Sequence, residues 1–73
     1  MAEKEIQIRE DEEYITLNVL LKITDTISTG GMAKIYLANK PVLVNGEIEN
    51  RRGRKLYPGD VIKIESKTFV IKK

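Results

Sequence analysis

The sequence predicts an α+β domain in which two packed helices, an α-α hairpin, lie against a small, mostly antiparallel β-sheet. Three observations carry this expectation. Leu17, Leu20 and Leu21 recur at helical spacing behind a capping residue, Thr16. Met32, Ala33, Tyr36 and Leu37 repeat that spacing and are stopped by Pro41, which cannot continue a helix and disfavours helical geometry at Lys40. From Val42 onward, apolar residues gather into short runs between two turn signals, Asn45-Gly46 and Tyr57-Pro58-Gly59-Asp60.

Taken in chain order, Glu5-Ile6-Gln7-Ile8-Arg9 alternates polar and apolar and reads as a half-buried strand. Glu10 to Glu13 is an acidic connector. The first helix runs from the Thr16 cap to about Thr24, with Val19 and Ile23 widening its apolar face. Asp25 to Ile27 is a short link. Ser28 or Thr29 caps the second helix, which carries Met32, Ala33, Tyr36 and Leu37 inward and ends near Asn39. Two helices joined this tightly are expected to pack on each other. Val42-Leu43-Val44 and Glu47-Ile48-Glu49 flank Asn-Gly, the strongest short hairpin signal. A two-residue turn pairs Leu43 with Ile48 but sets Val42 and Val44 opposite Glu49 and Glu47. A longer turn or a bulge would avoid this, and the sequence does not choose. Val61 to Glu65 and Thr68 to Lys72 form a second hairpin around Ser66-Lys67. It sets Ile64 opposite Phe69 and Ile62 opposite Ile71, with Lys63 and Lys72 on the other face.

The 73 residues make one domain, 1–73, with a small core. No cysteine is present, so no disulfide or thiolate metal site supplements that core, and no histidine is present to titrate near neutrality. No apolar run approaches the roughly 18 residues of a membrane span, and the charged N-terminus is no signal peptide. The expectation is a cytoplasmic protein without membrane contact. Net charge is only +2, but residues 1–13 hold six acids against two bases, and the remainder holds eleven bases against five acids. A basic body of this kind suits a polyanionic partner.

Arg51-Arg52-Gly53-Arg54-Lys55 is the densest feature, with four cations in five residues. Their mutual repulsion costs folding energy, which a nucleic-acid backbone would relieve as it released counterions. As a connection between strands it has few core contacts, so its cations are expected to be removable without harm to the fold. Ser28-Thr29-Gly30-Gly31 opens the second helix. Free N–H groups and the positive dipole end suit a phosphate there, and glycine leaves the approach open at a cost of about 1 kcal/mol of helix propensity each. Lys34, one turn later, reaches the same region. The spacing of a nucleotide-binding P-loop is absent. Glu47 and Glu49 read as a solvated face, Asp60 as a turn cap, and no metal-ligand spacing exists. Tyr14, Tyr36, Tyr57 and Phe69 are too scattered for a base-stacking platform. Tyr57 alone, beside the basic loop, is considered for stacking, with packing the stronger reading.

From Ile15 to Ile64 the chain resembles the RNA-binding domain named after ribosomal small-subunit protein S-four, and within it the stand-alone bacterial branch of about this length. The resemblance rests on Leu17, Leu20 and Leu21, then Thr29, Ala33 and Leu37, then Val42 and Val44-Asn45-Gly46, then Pro58-Gly59-Asp60-Val61-Ile62. It also rests on Ser-Thr-Gly-Gly-Met-Ala-Lys from Ser28 and Arg-Arg-Gly-Arg-Lys-Leu from Arg51. It implies RNA contacts at Ser28, Thr29, Gly30, Lys34, Arg51, Arg52, Arg54 and Lys55, to which the open helix entry adds Gly31. It further implies structured ribosomal or transfer RNA as partner, with no cofactor, metal or small-molecule substrate, and a ribosomal context. The domain carries no catalytic group of its own. Two departures stand out: Lys40-Pro41 where the family often has glycine, and Gly30 where a basic residue usually follows the capping Ser or Thr.

Two other function classes remain beside a non-catalytic RNA-binding module. A protein-interaction module would use the strand edge at Ile6 to Arg9. A small enzyme or a ubiquitin-like sulfur carrier is disfavoured, since a carrier needs a Gly-Gly end and this sequence ends Val70-Ile71-Lys72-Lys73.

Overall fold

A computed structural model describes residues 3–73. Along the chain come β1 (Glu3–Gln7), β2 (Ile15–Thr16), α1 (Leu17–Ile23), α2 (Met32–Asn39), β3 (Val42–Val44), β4 (Glu47–Glu49), β5 (Lys55–Leu56), β6 (Val61–Ile64) and β7 (Lys67–Lys72). Five strands form one sheet in the order β1-β7-β6-β3-β4, and β2 and β5 form a separate two-stranded one. The architecture is α+β and mostly antiparallel, with one parallel pair, β1 on β7.

Thr16 caps α1 with an extended backbone, and its hydroxyl accepts from the Val19 N–H at 3.4 Å. Leu17, Leu20 and Leu21 are wholly buried. Val19 and Ile23, expected on the same face, are 38% and 56% exposed, so the buried stripe is narrower than the apolar one. Thr26 and Ile27 N–H groups both donate to the Leu21 carbonyl, which closes the helix and drives Ile27 into the core.

The start of α2 departs from expectation. Neither Ser28 nor Thr29 caps it; the cap position is Gly31, without a side-chain hydrogen bond. The Met32 and Ala33 N–H groups instead turn back to the carbonyls of Thr29 and Gly30. This later start rotates Met32 outward, and it is 44% exposed, while Ala33 and Leu37 enter the core. The helix ends at Asn39, and Lys40 is extended as the following proline requires. Both helices deliver their buried residues to one cluster shared with the sheet.

The β3-β4 turn has two residues. Asn45 and Gly46 both take positive φ, 52° and 86°, and Leu43 pairs with Ile48. Tyr57 to Asp60 is a type II turn, with Gly59 at φ 96° and the Asp60 N–H on the Tyr57 carbonyl at 3.0 Å. The two turns meet in space. Asn45 donates from Nδ2 to Asp60 Oδ1 at 3.2 Å and accepts the Val61 N–H at 2.9 Å.

The register of the second hairpin corrects the expectation. Ile62 pairs with Phe69 and Ile64 with Lys67, two residues away from the anticipated alignment. A slip of two keeps every side chain on its face, so apolar patterning cannot detect it. The far end of the hairpin locks the register: Gly59 donates to the Ile71 carbonyl, and Ile71 donates to that of Asp60. The turn is thereby forced onto Glu65-Ser66, with Glu65 at φ 56°.

Candidate nucleic-acid interface

The basic loop is built on a buried acid. Because β3 and β4 pair without a bulge, Glu49 lies opposite Val42, on the core face of an edge strand, and is 6% exposed. A carboxylate so placed needs partners. Arg51 supplies three hydrogen bonds: its backbone N–H and Nε to Oε2 at 3.0 and 2.9 Å, and Nη2 to Oε1 at 3.1 Å. Arg54 adds Nη1 to Oε1 at 2.8 Å. The Arg51 guanidinium, aided by its N–H and by Arg54, overcomes the opposing effect of burial and lowers the Glu49 carboxyl pKa to about 2. The reading of Glu49 as part of a solvated face is therefore corrected. Its signal was the two-residue Asn-Gly turn, which forces it to share a face with Val42.

The loop backbone is equally engaged. The first two N–H groups of α1, from Leu17 and Asn18, donate to the carbonyls of Arg54 and Arg52, both at 2.9 Å. These bonds continue the β2-β5 ladder, where Ile15 faces Leu56 and Thr16 faces Lys55. The loop thus caps a helix that would otherwise present unsatisfied donors. The expectation that its cations could all be removed without harm to the fold is overturned for Arg51 and Arg54.

The four cations accordingly divide. Arg51 and Arg54 hold Glu49, although the Arg51 side chain remains 72% exposed. Arg52 and Lys55 are exposed and have no acidic partner among the described residues. The Lys55 ammonium sits 5.1 Å from the centre of the Tyr14 ring, and Tyr14 lies 5.6 Å from Tyr57. Tyr14 gave no sequence signal, because only the fold brings it beside the loop.

The second candidate segment is exposed at Ser28, Thr29 and Gly31 and half-buried at Gly30. Among the described residues, the N–H groups of Gly30 and Gly31 meet no protein acceptor. Gly31 has helical φ of −67° and nothing closer than 4.0 Å to an added Cβ, so the fold itself does not require glycine there. Lys34 is exposed on the first turn of α2. Asn18 joins the two segments. Its backbone N–H holds the Arg52 carbonyl, and its side-chain Nδ2 would lie 3.4 Å from a Cβ on Gly30. The strand edge anticipated at Ile6 to Arg9 is shorter, since β1 ends at Gln7 and Ile8 is buried with its N–H on the Lys72 carbonyl. No helix among the described residues is long and apolar enough to cross a membrane.

Comparison with known proteins adds two findings. The sequence profile of the S4 domain family matches residues 6–72. A protein of Bacillus subtilis (strain 168) named "Probable ribosome maturation protein RlbA" is 60% identical over 55 residues, which cover 75% of this chain and 78% of that protein.

Proposed function

Because the chain belongs to the S4 domain family, whose members bind RNA, we propose that it is a non-catalytic module for structured RNA and grips phosphates through two adjoining segments. Arg52 and Lys55, with the exposed guanidinium of Arg51 and the partly exposed Arg54, form one. Ser28, Thr29, Gly30, Gly31 and Lys34 form the other. In this reading the two helices act as one α-α hairpin that sets the segments side by side. The observation that carries it is the loop's construction: a buried glutamate holds Arg51 and Arg54, while Arg52 and Lys55 of the same loop meet no acid among the described residues. A loop held in this way pays less ordering entropy when a phosphate arrives.

The relative named for ribosome maturation favours ribosomal over transfer RNA, with action in the cytoplasm. Titration with hairpins from ribosomal RNA, with transfer RNA and with a poly-pyrimidine strand tests the reading. Tightest binding to a ribosomal hairpin, weakening steeply with salt, is expected. Salt-independent binding, or a preference for the unstructured strand, would contradict it.

A further inference from the structure

Beside the loop lies a depression lined by Arg51, Gly53, Arg54, Lys55, Tyr57 and Asp60. We infer that it takes a single unstacked nucleobase, with Tyr57 as the stacking surface and the loop cations on the flanking phosphates. The inference rests on the RNA reading above and narrows it to RNA that carries a bulged or extruded nucleotide next to a stem.

Tyr57 is placed as a platform rather than as packing. It remains 45% exposed although its neighbour Leu56 is fully buried. Its backbone is held rigidly: the N–H donates to Asp60 Oδ2 at 2.8 Å, and the following turn is stapled to β7 through Gly59 and Asp60. The Tyr14 ring supports it at 5.6 Å with a 49° tilt, and Lys55 lies 5.1 Å from the centre of Tyr14. An aromatic ring fixed before binding loses little freedom when a base stacks on it.

The surroundings favour a nucleotide over an uncharged aromatic ligand. Three cations line the same depression, and an extruded base brings its own phosphates on either side. Continuous single strands would need a row of aromatics. Among the described residues only Tyr14 accompanies Tyr57 here, so the surface suits one base.

The test uses two RNA hairpins with the same stem, one fully paired and one with a single bulged 2-aminopurine. The full chain and its Tyr57→Ala, Tyr57→Leu and Tyr57→Phe variants are titrated by anisotropy, with thermal melts to confirm folding. The chain has three tyrosines and no tryptophan, so tyrosine emission also reports the contact. The parent should prefer the bulged hairpin by about tenfold and quench its 2-aminopurine. Tyr57→Ala should lower bulged-hairpin affinity to that of the paired stem. Tyr57→Leu, which retains apolar packing against Tyr14, should do the same, whereas Tyr57→Phe keeps the preference. A parent that binds both hairpins equally, or folded Ala and Leu variants that keep the preference, overturns the inference and leaves the phosphate grip intact. A parent that binds neither hairpin overturns the RNA reading and this inference with it.

Discussion

The two segments proposed to meet RNA are finished to different degrees by the fold. The loop from Arg51 to Lys55 is held by a buried glutamate, by two helix N–H groups and by a two-stranded ladder. The entry to α2 has no side-chain cap, and its glycines have N–H groups without protein acceptors among the described residues. In the loop, the charge that holds the fold is also part of the charge proposed for recognition. At the helix entry, little besides recognition would be lost by substitution. Variants can therefore separate the two segments.

The largest effect is expected at Glu49. Glu49→Gln keeps the shape but removes the charge that gathers Arg51 and Arg54. It should lower stability by about 2 kcal/mol, a fall in melting temperature on the order of 10 °C for a domain this small. RNA affinity should fall with it because the cations lose their arrangement. Calorimetry and RNA titration check both. Unchanged melting with normal affinity would show that the loop is ordered by its backbone alone.

The same group sets an acid limit. Its carboxyl pKa is about 2 in the folded chain against an ordinary value of 4.5. A lowered carboxylate pKa stabilises the fold fully above the ordinary value, and that contribution is lost as pH falls from about 4.5 through about 2. Melting temperature should drop over this window in the parent, with a smaller drop in Glu49→Gln. Parallel curves would remove Glu49 as the cause.

The helix entry should show smaller effects, in which stability and RNA binding part company. Gly31→Ala meets open space and a helical φ, so it should stabilise by up to about 1 kcal/mol without tightening RNA binding. Gly31→Leu should fold and bind less well, because its side chain covers the N–H groups offered to phosphate. Melts and titrations on both variants decide. If binding merely tracks stability, the entry acts as a cap and no phosphate sits there.

What the sequence revealed and what it hid follow from how local each determinant is. The Thr16 cap and the Pro58-Gly59 turn are set by residues within four positions of one another, and both are legible, whereas Asn45-Gly46 is legible as a turn but its two-residue length emerges only from the pairing of β3 with β4. The start of α2 was misplaced because Ser28 and Thr29 are both acceptable caps in isolation. The register of β6 on β7 escaped because a two-residue slip leaves the apolar pattern unchanged, while Gly59 and Asp60 fix it from the far end. The four loop cations were legible, but not their division into Glu49-bound and unpaired groups. That division depends on the pairing of β4 with β3, which carries Glu49 to the core face. Asn18 and Tyr14 become part of the site only when α1 and β5 are brought together.

The central claim is that Arg52 and Lys55 face RNA phosphates while Arg51 and Arg54 also hold the loop. The most direct test is the salt dependence of RNA affinity for the parent and for the Arg52→Ala, Lys55→Ala double variant, with melting curves for both. The account predicts a melting temperature close to the parent's and a slope of log affinity against log salt that is shallower by roughly 1.5 to 2, as two lost phosphate contacts require. An unchanged slope in a folded double variant would contradict it.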